Sequence, residues 1–201
     1  GGRYHNFSDF MKLPVNGHAH LRDKPWPQLP HPQLAKARNP FTLLQRQDVL
    51  LHFPYHDFGQ FVSLLDKAAR DKSVTAIHIT LYRVADDSAV CTALLRAIER
   101  GKQVTVFVEV QARFDERTNL YWGEQLERAG ARVIYSYEHL KVHCKLCLIE
   151  RKTASGAHHV AYLGTGNFNE KSARLYADAA LLTTNNGITQ EVAEVFKHLQ
   201  D

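Results

Sequence analysis

Residues 76–110 read AIHITLYRVADDSAVCTALLRAIERGKQVTVFVEV. The run at 76–82 is rich in β-branched residues, which is typical of a strand. Asp87 or Ser88 then caps a helix whose apolar residues recur every three to four positions. A second apolar run follows at 103–110. Two strands joined by such a helix lie parallel in one sheet, so this stretch predicts an α/β fold.

The alternation of strand and helix continues on both sides, with strands at 49–53 and 132–135 and helices after Asp57 and at about 118–130. The pattern changes after residue 135. Strands at 141–149 and 159–163 are joined by a polar turn at 151–157 that is too short for a helix, which predicts antiparallel pairing. A strand at 177–183 and a closing helix follow. We therefore predict a mixed β-sheet flanked by helices.

The start of the chain has a different texture. Six of the seven prolines lie within the first 40 residues, where we expect them to interrupt helices and strands. We predict an extended, Pro-rich connector over residues 1–47 and one folded domain over residues 48–201. A length of 201 residues suits one domain with an extension.

Composition excludes several classes of protein. Hydrophobic residues make up 44% and charged residues 23%, which is typical of a globular chain. Residues 1–50 hold seven basic and three acidic residues, whereas residues 51–201 hold 18 of each, so we expect no broad nucleic-acid surface. We find no apolar run long enough for a membrane span and no signal peptide. Three cysteines are too few for a disulfide framework and suit a reducing compartment.

Several polar side chains are predicted to meet at one edge of the sheet. Ligands of open α/β sheets bind beyond the carboxyl ends of the parallel strands. Arg83 follows the first of these strands and Arg113 follows the second. The returning strand brings His143 and Lys145 to the same edge, both facing one side because they are two residues apart. The loop Gly164-Thr-Gly-Asn167 leaves the sheet there as well.

This combination of residue types favours a phosphoryl ligand. Arginine binds phosphate oxygens bidentately, lysine supplies a point charge, and glycines allow backbone amides to approach an anion. A neutral imidazole can also attack phosphorus and carry the phosphoryl group. Taken singly, each feature has an ordinary alternative, such as a solvated strand face, a surface ion pair or a simple turn. Their predicted meeting at one edge favours the phosphate interpretation.

Two resemblances support this interpretation. His143-x-Lys145 followed by Gly164-Thr-Gly-Asn167 resembles the His-Lys signature of the phospholipase D superfamily, although Ile149 and Glu150 stand where its acidic member is usual. Four longer blocks, in the same order, resemble type 1 polyphosphate kinase: residues 81–85, 111–115, 141–145 and 164–176. The resemblance implies a phospholipase D-like fold.

The polyphosphate kinase resemblance also implies a reaction, which is reversible transfer of the ATP γ-phosphate to inorganic polyphosphate with Mg²⁺ through a phosphohistidine. His143 is then the nucleophile and Lys145 its catalytic partner. Arg83 and Arg113 correspond to the magnesium-associated cluster. An arginine has no acceptor atom, so we expect both to bind phosphate oxygens that share the metal. The resemblance further implies that Tyr176 contacts ATP, with Thr165 and Asn167 in a supporting loop.

The family enzymes are longer than this chain, with an N-terminal domain, a helical domain and a second His-bearing phospholipase D-like domain. The resemblance therefore implies one internal domain of a cytoplasmic, mainly bacterial enzyme. Its partners would be ATP or ADP, polyphosphate, the remaining domains and, at full length, further copies of itself, with no nucleic acid. We expect the isolated domain to bind phosphate without efficient turnover.

Two alternatives remain open from the sequence. One is a phospholipase D-like nuclease or phosphodiesterase that assembles two His-Lys sets by homodimerisation. The other is a non-catalytic module that binds polyphosphate or a nucleotide. ATP consumption separates the kinase from the nuclease, and phosphate transfer to a histidine separates both from the module.

Overall fold

The computed structural model describes residues 10, 14, 16–24, 26–110, 116–136, 141–154 and 156–200. Within these ranges the chain forms seven strands and six α-helices. The strands are β1 (Val49–Phe53), β2 (Val74–Leu81), β3 (Gln103–Val108), β4 (Arg132–Tyr135), β5 (Lys145–Thr153), β6 (Gly156–Gly164) and β7 (Asp178–Thr183). The helices are α1 (Pro32–Lys36), α2 (Pro40–Leu44), α3 (Gly59–Arg70), α4 (Ala89–Glu99), α5 (Glu116–Arg128) and α6 (Asn186–His198).

All seven strands form one sheet in the order β1-β7-β6-β5-β2-β3-β4. β2, β3 and β4 are parallel, whereas β5 is antiparallel to β2, and β6, β7 and β1 continue antiparallel. The predicted mixed sheet is therefore confirmed. These directions bring the carboxyl ends of β2, β3, β4 and β6 to the same edge as the amino ends of β5 and β7. We call this edge the top edge.

Several helices begin where a polar side chain accepts a backbone N–H. Ser88 caps α4, because its hydroxyl accepts from the Cys91 N–H at 3.1 Å. The alternative cap, Asp87, instead pairs with Lys171 at 3.1 Å on the surface. The Asp57 carboxylate accepts from the Gly59 N–H at 2.9 Å and fixes the first turn of α3.

The sheet separates two apolar layers. In β5, Cys147 and Ile149 point into a large core beneath α3, α4 and α5, whereas Leu148 points into a smaller core beneath α6. The large core includes Phe61 and Leu65 of α3, both completely buried. Burying a side chain of this size stabilises the fold by roughly 1.5–3 kcal/mol. The top edge is thus carried on a rigid sheet packed on both faces.

Three local predictions are wrong. The prolines do not exclude helices from the connector, since α1 and α2 begin at Pro32 and Pro40, where the first helical residue needs no N–H. Most of the predicted turn at 151–157 belongs to the β5–β6 hairpin, whose pairing extends to Thr153 and Gly156. The strand predicted from residue 141 begins at Lys145.

None of the helices in the described ranges combines the length and apolarity needed to cross a bilayer.

One buried amide ties α5 to the top edge. The side chain of Asn119 is completely buried. Its oxygen accepts from the Val84 N–H at 3.0 Å, just after β2, and its nitrogen donates to the Glu109 carbonyl at 2.8 Å, just after β3. The chain segments that leave β2 and β3 at the top edge are therefore held by a single side chain.

We expect Asn119→Ala to lower the free energy of unfolding by about 2–4 kcal/mol, because it leaves two buried backbone groups unsatisfied. The matched control is Leu120→Ala on the same helix, where an exposed side chain should change the value by less than about 0.5 kcal/mol. Urea denaturation of the chain measures both. A cost for Asn119→Ala as small as the control would show that water replaces the amide.

Candidate active site

A cavity of about 500 Å³ opens at the top edge of the sheet. It lies beyond the carboxyl end of β2, where ligands of α/β sheets bind. Its walls come from the residue after β2, the approach to β5, the loop after β6 and the start of β7. The lining residues are Arg83, His143, Lys145, Thr165, Gly166, Asn167, Asn169, Ser172, Tyr176, Ala177 and Asp178.

An exposed histidine stands over a buried lysine at the centre of this cavity. The Lys145 ammonium lies 2.9 Å from Nδ1 and 3.0 Å from Nε2 of His143, and it donates to the His143 carbonyl at 2.6 Å. Only 4% of Lys145 is exposed, whereas His143 is accessible to solvent. The imidazole is therefore the member of the pair that can reach a ligand.

The electrostatic surroundings favour the neutral imidazole. Burial, followed by the positive charges of Lys145 and Arg83, lowers the pKa of His143 below the usual value for histidine. Burial also lowers the pKa of Lys145, against the opposing effects of Cys144 and Asp178. A histidine with a lowered pKa is uncharged at neutral pH and keeps a free lone pair, which is the form that acts as a nucleophile.

Thr80 of β2 fixes the backbone on both sides of Lys145. Its buried hydroxyl donates to the Cys144 carbonyl at 2.8 Å and accepts from the Leu146 N–H at 3.1 Å. The neighbouring Tyr82 ring meets the His143 ring edge to face, with centroids 4.9 Å apart. The first residues of β5 are therefore held at a defined height above the end of β2.

Arg83 has a strained backbone. Its φ is +54°, a left-handed conformation that residues other than glycine rarely adopt. The Asn169 amide donates to the Arg83 carbonyl at 2.7 Å, and Asn119 holds the next residue. The Arg83 guanidinium lies 5.7 Å from the centre of the Tyr82 ring. Such strain persists where surrounding contacts impose it and is common at functional sites.

The loop after β6 forms the opposite wall. The Thr165 hydroxyl donates to the Asp178 carboxylate at 2.7 Å and accepts from the Ala179 N–H at 3.1 Å. A Cβ on Gly166 would lie 2.5 Å from an Asp178 oxygen, so this close approach requires glycine. Asn167 also lines this wall, and its side-chain oxygen is buried with no hydrogen-bond partner within the described ranges.

Tyr176 stands at the rim of the cavity. Its side chain is 61% exposed, and its backbone N–H donates to the Ser172 carbonyl at 3.0 Å. Asn169 caps the same turn by accepting from the N–H groups of Lys171 and Ser172, both at 3.0 Å. An exposed aromatic ring on an anchored turn offers a surface on which a base can stack.

The structure brings most of the predicted site residues to this cavity. These are Arg83, His143, Lys145, Thr165, Asn167 and Tyr176. Arg113 lies outside the described residues, so its predicted place remains a prediction. We predicted that His143 and Lys145 share one face of a strand. This is wrong, because β5 begins only at Lys145 and His143 precedes it.

Sequence reasoning missed Asp178, the carboxylate of the cavity. Its position as the second residue of the strand predicted at 177–183 was the available signal, but the pairing of β7 with β6 at the top edge was not evident. No cluster of three or more His, Cys, Asp or Glu side chains suited to a metal occurs in the described part of the chain. Mg²⁺ is commonly held by one or two carboxylates together with substrate phosphates. Asp178 fits that mode of binding.

Comparison with known proteins places the chain among polyphosphate kinases. The sequence model of "Polyphosphate kinase C-terminal domain 1" matches residues 39–201. The polyphosphate kinase of Escherichia coli K12 is 49% identical over 203 residues, which cover 100% of this chain and 30% of that protein. The chain therefore spans about a third of the length of the curated relatives that it matches.

Solved structures agree. The crystal structure of polyphosphate kinase from Porphyromonas gingivalis matches with a TM-score of 0.82 and 40% identity, over 99% of this chain and 33% of that one. Nuc from Salmonella typhimurium, a phospholipase D family member, matches with a TM-score of 0.57 at 17% identity, over 77% of this chain and 92% of that one. The second match shows the fold alone, which is the predicted phospholipase D-like sheet. With the family match over residues 39–201, these findings establish that the chain belongs to the polyphosphate kinase C-terminal domain 1 family.

Proposed function

We propose that this chain carries the phosphohistidine site of a polyphosphate kinase, which transfers the γ-phosphate of ATP reversibly to inorganic polyphosphate. The observation that carries the proposal is the exposed imidazole of His143 set beside the cations Lys145 and Arg83 in one cavity. A cavity that holds a nucleophile beside two cations suits a phosphoryl group better than other common ligands. The membership of the family, and the similarity to bacterial polyphosphate kinases, support the proposal.

The first half of the reaction is an in-line displacement. A ring nitrogen of His143 donates its lone pair to the γ-phosphorus, and the bond from that phosphorus to the β,γ-bridging oxygen breaks. ADP leaves with the electron pair. Arg83 and Lys145 offset the negative charge on the equatorial oxygens, which is the main task of a protein in phosphoryl transfer. The same two cations stabilise the phosphohistidine.

The second half transfers the phosphoryl group to a terminal oxygen of polyphosphate. That oxygen forms the new bond to phosphorus, the nitrogen–phosphorus bond breaks, and the His143 lone pair is restored. We assign the acid or base that assists this half to another domain of a longer enzyme. Oligomers at full length and a cytoplasmic location, where ATP is supplied, are part of the proposal.

Nucleotide and metal are proposed to bind on the side of the cavity near β7. The exposed Tyr176 ring stacks on the adenine, while Thr165 and Asn167 belong to the loop that supports the phosphates. Mg²⁺, when bound with the nucleotide, neutralises phosphate charge. Asp178 is the residue that would hold it, and Arg83 and Arg113 bind the phosphate oxygens that share it.

The nucleophile is tested by labelling. We expect the whole enzyme, incubated with γ-labelled ATP, to acquire an acid-labile and base-stable label that His143→Ala abolishes. His159→Ala is the matched control, because this histidine pairs with Glu150 near the far end of the sheet and should leave the label in place. Label that persists in a folded His143→Ala variant would overturn the assignment.

The arginine is tested by a substitution that keeps its charge. We expect Arg83→Lys to lower turnover by at least about 10²-fold while changing ATP affinity little, because lysine lacks the bidentate fork needed by the transferring group. Arg70→Lys on the exposed end of α3 controls for the general effect of the exchange. The measurements are the turnover rate and the equilibrium ATP affinity of both variants. A loss confined to binding would move Arg83 to a non-transferred phosphate.

The lowered pKa of His143 predicts a pH dependence. Phosphorylation needs the neutral ring, so its rate should rise with pH through the His143 pKa and level off above it. Lys145→Gln removes a nearby positive charge and should therefore raise that pKa. NMR titration of the His143 ring measures the shift without relying on activity. The control, Lys141→Gln, removes an exposed charge and should shift the pKa far less, so equal shifts would contradict the pairing.

A further inference from the structure

A buried carboxylate outside the cavity reaches the segment that carries His143. Glu109 follows β3 and is completely buried. One of its oxygens accepts from the Ser136 hydroxyl at 2.8 Å, and the other accepts from the Val142 backbone N–H at 2.9 Å. A buried carboxylate is costly unless it is hydrogen-bonded, so these contacts hold its position tightly.

The bond to Val142 acts directly beside the nucleophile. Residues 141–144 do not belong to β5, so no strand pairing fixes them. Glu109 holds the residue before His143, and the Thr80 hydroxyl holds the carbonyl of the residue after it. His143 is therefore suspended between two side-chain anchors that belong to β2 and to the end of β3.

The backbone of Glu109 extends the same network toward the arginine. Its N–H donates to the Leu81 carbonyl at 3.0 Å, and its carbonyl accepts from the buried Asn119 amide at 2.8 Å. Asn119 in turn accepts from the N–H of Val84, next to Arg83. One residue thus connects the strained turn that presents the guanidinium with the segment that presents the imidazole.

We propose that Glu109 is a positioning residue, whose carboxylate sets the His143 ring at the place where it meets a phosphoryl group held by Arg83. This inference rests on the proposed function. Glu109 is buried outside the cavity lining and acts through the Val142 backbone. The property that matters is the reach of its two acceptor oxygens, which is the distance that the side chain carries them from the Glu109 backbone. A misplacement of about 1 Å can slow a transfer step by roughly 10²-fold, so small changes in this reach should be visible.

The test compares two substitutions at Glu109. Glu109→Asp keeps the charge but withdraws the oxygens by one methylene group, and we expect it to lower the rate of His143 phosphorylation by about 10²-fold with little change in ATP affinity. Glu109→Gln keeps the length, and its amide oxygen still accepts from Val142 while its nitrogen meets the Ser136 hydroxyl. We expect Glu109→Gln to stay within about five-fold of the unsubstituted rate, because its hydrogen bonds are retained.

Glu150→Asp is the matched control. It makes the same change at a half-buried carboxylate that pairs with His78 at 3.2 Å, away from the cavity. We expect it to leave the phosphorylation rate unchanged. Thermal unfolding of every variant verifies the fold, and Ser136→Ala, which should slow phosphorylation by about ten-fold through a loosened carboxylate, replaces Glu109→Asp if that variant does not fold.

Three outcomes would overturn the inference. The first is an unchanged phosphorylation rate in a folded Glu109→Asp variant, or in Ser136→Ala when it replaces that variant. The second is an equal loss of phosphorylation rate in Glu109→Asp and Glu109→Gln. The third is a loss of ATP binding together with the loss of rate. Equal losses would mean that any change of the Glu109 carboxylate slows the transfer, so the reach of its oxygens would not be the deciding property. Combined loss would mean that Glu109 only supports the fold of the site.

A second measurement separates this inference from the proposed function. If the unsubstituted enzyme places no phosphate on His143, the proposed function fails, and NMR of the His143 ring still reports on its position. We then expect Glu109→Asp to shift and broaden the ring resonances and Glu150→Asp to leave them in place. Unchanged His143 resonances in Glu109→Asp would overturn the positioning role.

Discussion

The burial of one ammonium group, that of Lys145, is the constraint on which the site depends. A cation that is only 4% exposed needs hydrogen bonds and nearby negative charge to stay at this place. The His143 carbonyl supplies the shortest bond, at 2.6 Å, and Asp178 supplies the opposing charge. The first contact fixes the position of the backbone before β5, and the second keeps the start of β7 near the lysine. They also place a positive charge against the His143 ring, which, after burial, contributes to the lowered pKa of that ring.

The polarity of the sheet makes this arrangement possible. Because β5 runs antiparallel to β2, its first residues lie beside the last residues of β2. Thr80 and Lys145 therefore become neighbours although they are far apart in the chain, and the Thr80 hydroxyl completes the backbone bonds at the start of β5. The antiparallel strand β6 returns to the same edge and delivers Asn167. A sheet that was parallel throughout would place the amino end of β5 at the opposite edge.

The sequence predicted what depends on periodicity and failed where single contacts decide. The strands at 49–53 and 132–135 were predicted with the bounds that the structure gives, because each is a short apolar run between breaks in the pattern. The start of β5 was placed four residues too early, since residues 141–144 alternate like a strand but bond to side chains. Asp178 and Glu109 were missed as parts of the site network. The role of Asp178 depends on the pairing of β7 with β6, and that of Glu109 on its hydrogen bond to Val142. Neither contact has a signature in the local sequence.

The charge balance of the cavity explains why a metal fits this chemistry. The described wall carries the cations Arg83 and Lys145, a neutral His143 and one carboxylate, Asp178. The two cations exceed the carboxylate by one charge, whereas the phosphates of a nucleotide and of polyphosphate carry several negative charges. The carboxylate comes from the start of β7, on the opposite wall of the cavity from His143. In the proposed function, Asp178 would hold a divalent cation, which would supply the positive charge needed to offset the remaining phosphate charge.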